Sequence, residues 1–247
     1  MPEHYRVAAT IFSESIPEML VWAEEAMSQG ADFPEFRLDS LRIGELLFDD
    51  GLVNKTRIKQ LVTEFPGAIY TCRHQSEAPP YTGQGFVESE KNRIAILQAV
   101  ADLGVGYIDI EHRLFPTDKM PLKTDPEKTL LIKSVHDFNG TPNIDQQRGL
   151  YHKISQSFGS DIIKVATTAT KPEDAETIMA FIKEHAYKKG LIAIAMGELG
   201  RKTRFEGPLW RGYLTYGYVN CSGMPGDPGM PTIRELRGFY KSQTNPV

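Results

Sequence analysis

A lysine in the middle of an apolar run is unusual, and Lys164 sits in one: Ile162-Ile163-Lys164-Val165-Ala166. An ammonium with the ordinary pKa of about 10.4 is protonated at neutral pH and does not attack carbon. Burial among these neighbours, with arginines nearby, predicts a depressed pKa and a neutral, nucleophilic amine. Such an amine adds to a ketone or aldehyde, and the resulting iminium acidifies the C–H bond on the adjacent carbon. A base must then take that proton. His136, closing the run 130–136, is the histidine best placed to do so. The bland alternative is a lysine snorkelling from a strand end; the company of His136 favours catalysis.

Other charges repeat with period two. In a strand, Glu35, Arg37 and Asp39 share one face and Phe36 and Leu38 the other. Asp109 and Glu111 alternate with Ile108 and Ile110 in the same way, and Arg73 ends a third run. If the apolar faces pack under helices, the charged faces point inward, where a structural core would use Val, Ile or Leu. The alternative is an internal ion-pair network, a role that suits Asp39 and Asp109 as well as catalysis does. Arg204, in a basic segment with Arg201 and Lys202, suits a carboxylate or phosphate; its alternative is a solvated turn. A metal centre built from His74, His112 and His136 with Glu77, Asp109 and Glu111 is a weaker option, since no His-x-His or HExxH spacing is present. Cys72 reads as a buried strand residue rather than a nucleophile.

Eight short β-rich runs would position these residues: 6–12, 35–39, 68–73, 107–111, 130–136, 162–167, 191–196 and 214–219. Helical patterns fill most of the gaps, at 16–29, 54–65, 88–103, 144–158, 172–188 and 232–241. Pro172 followed by Glu173 and Asp174 marks a helix start. Strands alternating with helices over 247 residues predict one (β/α)8 TIM barrel spanning 1–247, an α/β fold, with an open doubly wound sheet as the alternative. Pro116, Pro121 and Pro126 erode the fourth helix, and 197–212 holds at most a short one. The tail 242–247 reads as frayed.

Composition excludes several classes. With 40% hydrophobic and 24% charged residues the chain is not disordered. A net charge of -4 gives no reason to expect nucleic acid or an anionic membrane as partner. No run approaches the ~18 apolar residues of a membrane span, and the start Met1-Pro2-Glu3-His4-Tyr5 lacks a signal peptide's features. Two cysteines, Cys72 and Cys221, suit a reducing cytoplasm.

The order of motifs resembles that of type I 3-dehydroquinate dehydratases. It comprises Glu35-Phe36-Arg37-Leu38-Asp39; Thr71-Cys72-Arg73 with Glu77; Tyr107-Ile108-Asp109-Ile110-Glu111; Ser134-Val135-His136-Asp137-Phe138 with Thr141-Pro142; and Ile163-Lys164-Val165-Ala166. Met196-Gly197-Glu198-Leu199-Gly200 with Arg204, Thr215-Tyr216-Gly217, and Pro228-Gly229-Met230-Pro231-Thr232 complete it. The resemblance covers nearly the whole chain and implies the same barrel fold and a hydro-lyase of the shikimate pathway. It implies that Lys164 forms the iminium with 3-dehydroquinate, while His136 removes a proton and then protonates the departing hydroxyl, giving 3-dehydroshikimate and water. Glu77 would orient His136. Arg204 would hold the substrate carboxylate, Glu35, Arg37 and Arg73 its hydroxyls, and Met196 would line the site. No metal or organic cofactor is implied, and a homodimer is a possible assembly. Alternatives are a dehydratase-like domain that binds or senses 3-dehydroquinate without turnover, or another Schiff-base lyase or aldolase.

Three departures stand out. The family's Ser-Ala-Pro-Gly-Gln lid is replaced by Gly226-Asp227-Pro228-Gly229-Met230, which removes two polar contacts at Gly226 and Met230, unless Asn220, Ser222 or Asp227 substitutes. Ala78-Pro79-Pro80 replaces the usual Gly-Gly after Glu77, and the proline-rich fourth segment affects the family's usual dimer contact.

Overall fold

The structure, a computed structural model, describes residues 5–78, 85–114, 121–157, 160–220 and 228–244. Its first half runs β1 (Val7–Ile11), α1 (Ile16–Ser28), β2 (Phe33–Arg37), α2 (Ile43–Leu46), α3 (Lys55–Glu64), β3 (Ile69–Thr71), α4 (Glu90–Ala101) and β4 (Tyr107–Glu111). The second half runs β5 (Leu130–Asp137), α5 (Ile144–Ser155), β6 (Ile162–Thr168), α6 (Pro172–His185), β7 (Gly190–Met196), α7 (Lys202–Glu206), β8 (Thr215–Gly217) and α8 (Ile233–Thr244).

The eight strands are parallel and ordered β7-β6-β5-β4-β3-β2-β1-β8. The remaining seam is bridged where the Tyr213 N–H donates to the Leu191 carbonyl at 2.7 Å. This is a nearly closed (β/α)8 barrel. Alternation sorts the side chains as period two requires: Phe36, Ile108, Ile110, Ile163 and Val165 lie in the layer under the helices, while Ile69, Ile132, Ile162 and Ile192 form an inner cluster. The charged side chains occupy the inner positions toward the C-terminal strand ends. Helix starts are set locally: Asn54, Ser89 and Asn143 each accept a backbone N–H from the first turn, and removing such a cap costs about 1 kcal/mol.

Several boundaries differ from the sequence expectations. β2 ends at Arg37, because the Ser40 hydroxyl donates to the Arg37 carbonyl at 2.7 Å and turns 38–40 into a 3-10 helix. Asp39 therefore lies beyond the strand, and Arg73 lies beyond β3. Between β4 and β5 the described residues hold one 3-10 turn, His112–Leu114, and no α-helix. Of the tail 242–247, α8 takes in residues through Thr244, and 245–247 lie outside the described residues.

Candidate active site

A cavity opens at the C-terminal end of the barrel, where TIM-barrel sites are built. Glu35, Arg37, Arg73, Glu77, His136, Lys164, Met196, Arg204 and Met230 all line it. At its floor the Lys164 ammonium lies 2.9 Å from Asp109 Oδ2 and 3.3 Å from Glu35 Oε1. The Tyr216 ring faces it, with Nζ 4.3 Å from the ring centroid. Glu35 is held from two sides, by the Thr10 hydroxyl at 3.0 Å and the Thr71 hydroxyl at 2.9 Å. Asp109 accepts from Ser134 at 2.6 Å and pairs with Arg73 at 3.0 Å.

One expectation is overturned here. The Lys164 pKa is raised, not depressed: burial alone lowers it, but Asp109 and Glu35 outweigh that. Two carboxylates within hydrogen-bonding reach stabilise the ammonium more than desolvation penalises it. The sequence placed apolar residues beside Lys164 along its own strand; the deciding groups come from β2 and β4.

His136 shows the opposite sign. Burial, then the positive Arg73 and Lys164, hold its imidazole well below the usual histidine range, so the ring is neutral at pH 7. Glu77 backs it: one oxygen, Oε2, accepts the His136 backbone N–H at 3.0 Å and lies 3.3 Å from ring Nδ1. Glu77 thus meets this histidine, while Pro79 and Pro80 lie outside the described residues. Burial lifts the Glu77 pKa to about 7, against the opposing pull of Arg73.

Asp39, Asp109 and Glu111 are absent from the cavity lining and serve the residues that are there. Asp39 takes the Arg37 guanidinium through two contacts of 3.0 and 2.7 Å and accepts the Arg73 backbone N–H. Glu111 pairs with Arg73 at 3.0 Å and with Arg93 at 2.8 Å. Arg93, fully buried on α4, escaped notice in the sequence because it sits in an ordinary helical pattern with Glu90 three residues before it. Thr10 on β1, and Phe12, Phe138 and Tyr218 just past the ends of β1, β5 and β8, also line the cavity unanticipated; only the inward phase of those strands, continued past their ends, could have flagged them. Met230 is brought over the site by a glycine contact: Gly229, at φ 76°, packs so closely on Gly197 that a Cβ would lie 2.3 Å from the Gly197 carbonyl oxygen. Gly226 lies outside the described residues, as do Ser222 and Asp227. Asn220 is exposed and absent from the lining.

The histidines of the metal alternative go separate ways. His74 Nδ1 accepts the Ser76 N–H, His112 lines a different cavity, and His136 faces Lys164's cavity. Among the described residues no three His, Cys, Asp or Glu side chains gather as ligands.

Fold and cavity together define a TIM-barrel enzyme site with a buried lysine, a neutral histidine and converging arginines. A sequence profile of type I 3-dehydroquinase matches residues 7–245. The chain is 32% identical to the 3-dehydroquinate dehydratase of Desulfotalea psychrophila over 85% of its length and 87% of that protein. It is 30% identical to the chloroplastic bifunctional 3-dehydroquinate dehydratase/shikimate dehydrogenase of Arabidopsis thaliana over 95% of its own length, spanning only 36% of that longer protein. Among solved structures, 3-dehydroquinate dehydratase from Geobacillus kaustophilus superposes with a TM-score of 0.83 at 23% identity, covering 99% of this chain and 93% of that one. The chain belongs to the type I 3-dehydroquinase family and is a hydro-lyase. Among the described residues no helix is long and apolar enough to cross a membrane.

Proposed function

We propose that this enzyme dehydrates 3-dehydroquinate to 3-dehydroshikimate through a Schiff base on Lys164. The observation that carries the reading is the ammonium of Lys164 held by Asp109 and Glu35 in the same cavity as a neutral, carboxylate-backed His136.

The raised Lys164 pKa is consistent with this chemistry. Neutral His136 takes one proton from the ammonium; the freed amine adds to the ketone, and protonated His136 returns its proton as the carbinolamine loses water. The product is an iminium, a cation at the position the ammonium held, so Asp109 and Glu35 stabilise it without reorganising. His136 then removes a proton from the adjacent carbon, leaving an enamine, and gives it to the departing hydroxyl. Water hydrolyses the conjugated iminium and frees Lys164. One water is released and one consumed at the imine, so a single water is lost overall. Arg204 is assigned to the substrate carboxylate, and Glu35, Arg37 and Arg73 to its hydroxyls. A reducing, cytoplasmic setting belongs to this proposal on the strength of the low cysteine count.

The test is direct. With 3-dehydroquinate, ultraviolet absorbance rises as the enone forms, and borohydride traps substrate on the protein. Both signals are expected to vanish in Lys164→Ala, and peptide mapping is expected to put the adduct on Lys164. Turnover surviving in Lys164→Ala would overturn the mechanism.

A further inference from the structure

The buried charges beneath the cavity form a line of alternating sign. Lys164 lies 2.9 Å from Asp109, Asp109 lies 3.0 Å from Arg73, Arg73 lies 3.0 Å from Glu111, and Glu111 lies 2.8 Å from Arg93. Arg93 stands on α4, outside the barrel wall, and is fully buried. The line ends at Glu90, three residues earlier on that helix, whose side chain is 40% exposed. Contacts of opposite charge thus join the surface of α4 to the amine at the cavity floor.

Arg73 faces two carboxylates, and one guanidinium does not neutralise both. Asp109 has Lys164 on its other side. Among the described residues, Arg73 and Arg93 are the two cations paired with the fully buried Glu111. Without Arg93, this carboxylate competes with Asp109 for the Arg73 guanidinium, because a buried charge that loses a partner turns to the one that remains.

The hold on Arg73 is also one of geometry. Arg93 Nη1 donates to the Cys72 carbonyl at 2.7 Å and to Glu111 Oε2 at 2.8 Å. The other oxygen of Glu111, Oε1, accepts from Arg73 Nη1 at 3.0 Å and from the His74 N–H at 2.9 Å. Arg73 is therefore fixed at the residue before it, at the residue after it and at its guanidinium, each time by Arg93 or by the carboxylate that Arg93 pairs with. Glu90 fixes Arg93 in turn, its two oxygens accepting from Nε and Nη2 at 2.8 Å each. Only a guanidinium offers this many donors in one rigid plane; an ammonium is a point charge.

We propose that Arg93 is a positioning residue of the active site: through Glu111 and the Cys72 carbonyl it aims the Arg73 guanidinium into the cavity, and Glu90 holds Arg93 in place to do so. What Arg73 grips rests on the proposed function; where Arg73 sits does not. A misaimed Arg73 loosens the hold on substrate in the ground and transition states alike, which raises KM and leaves kcat in place. A merely structural role has another signature: it lowers the active fraction, and with it the apparent kcat, at unchanged KM.

Steady-state kinetics with 3-dehydroquinate, beside thermal unfolding, are compared for Arg93→Met, Arg93→Lys, Glu111→Gln and the double variant Arg93→Met/Glu111→Gln. KM is expected to rise about tenfold in Arg93→Met with kcat within about threefold of the parent, and Arg93→Lys is expected to fall between the two. Glu111→Gln removes the charge left short of a partner, so the KM of the double variant is expected not to exceed that of Arg93→Met. A lowered kcat at unchanged KM in Arg93→Met would overturn the proposal, as would KM effects of the two single changes that multiply in the double variant. Where Arg93→Met does not fold, Glu90→Ala, changed at a half-exposed position, carries the same test with a KM raised about threefold, and a normal KM there counts against the proposal equally. A parent protein that does not turn over 3-dehydroquinate sinks the proposed function instead, and a crystal structure of Arg93→Met or Glu90→Ala then decides. The Arg73 guanidinium is expected to move by about 1 Å or more, enough to matter for binding; an Arg73 that superposes on the parent overturns its positioning by Arg93.

Discussion

At the scale of single residues, the site is a problem of three protonation states. Lys164 is cationic because two carboxylates face it, and His136 is neutral because it is buried beside two cations. Glu77 is poised: burial brings its pKa to about 7, and its ionised form is much the stronger acceptor for an Nδ1–H of His136. Activity is therefore expected to fall as pH drops through about 7. Glu77→Gln removes that limb and lowers kcat roughly ten- to a hundredfold, less than the ~10²–10⁴ that a general base itself supplies. The pH profile of kcat/KM checks this; an unchanged acid limb in Glu77→Gln would assign it to another group. That Lys164 and His136 face one cavity was legible from residue type and neighbours, but the sign of the lysine shift was not.

At the scale of elements, the C-terminal strand ends deliver the site and a few tight contacts fix the loops. Ser40 stops β2 so that Asp39 can clamp Arg37. Arg93 ties α4 to the Cys72 carbonyl and Glu111 at 2.7 and 2.8 Å. Gly229 seats the segment bearing Met230 on the end of β7. Gly229→Ala forces a side chain into a left-handed backbone and against the Gly197 carbonyl. Strain of about 1–3 kcal/mol is expected to move the segment. The predicted result is a KM raised about tenfold with the melting temperature little changed, read by steady-state kinetics beside thermal unfolding. A normal KM would detach this segment from substrate binding. That the described residues between β4 and β5 hold no α-helix was visible in the prolines, because a proline inside a helix removes a backbone donor and clashes with the preceding turn.

At the scale of the whole molecule, the barrel interior joins strands through a buried charge network rather than through apolar packing alone. Arg73 and Lys164 hold Asp109 with its pKa far below the ordinary carboxylate range, against the cost of burying it. A depressed carboxylate pKa contributes stability that is full above its unfolded value of about 3.9 and is lost as pH falls below it. Asp109→Asn is thus expected to flatten the decline of unfolding free energy between about pH 4 and pH 2. It also removes about 3–5 kcal/mol at neutral pH, because two buried cations lose a partner. Urea titrations across that range test both, and an unaltered slope would mean that Asp109 does not link folding to acid.

Alternation within each strand is a local property, and the sequence alone carried it. It determined eight strands, a charged face inside a (β/α)8 barrel, and the motif order by which the family is evident. Which charges meet is a matter of distances between strands tens of residues apart. Only the tertiary structure decided that Asp109 and Glu35 raise the Lys164 pKa, that Asp39 and Glu111 support arginines from outside the cavity, and that His74, His112 and His136 never meet. Electrostatic energy depends on through-space separation and burial, and neither is written in the spacing of residues along one strand.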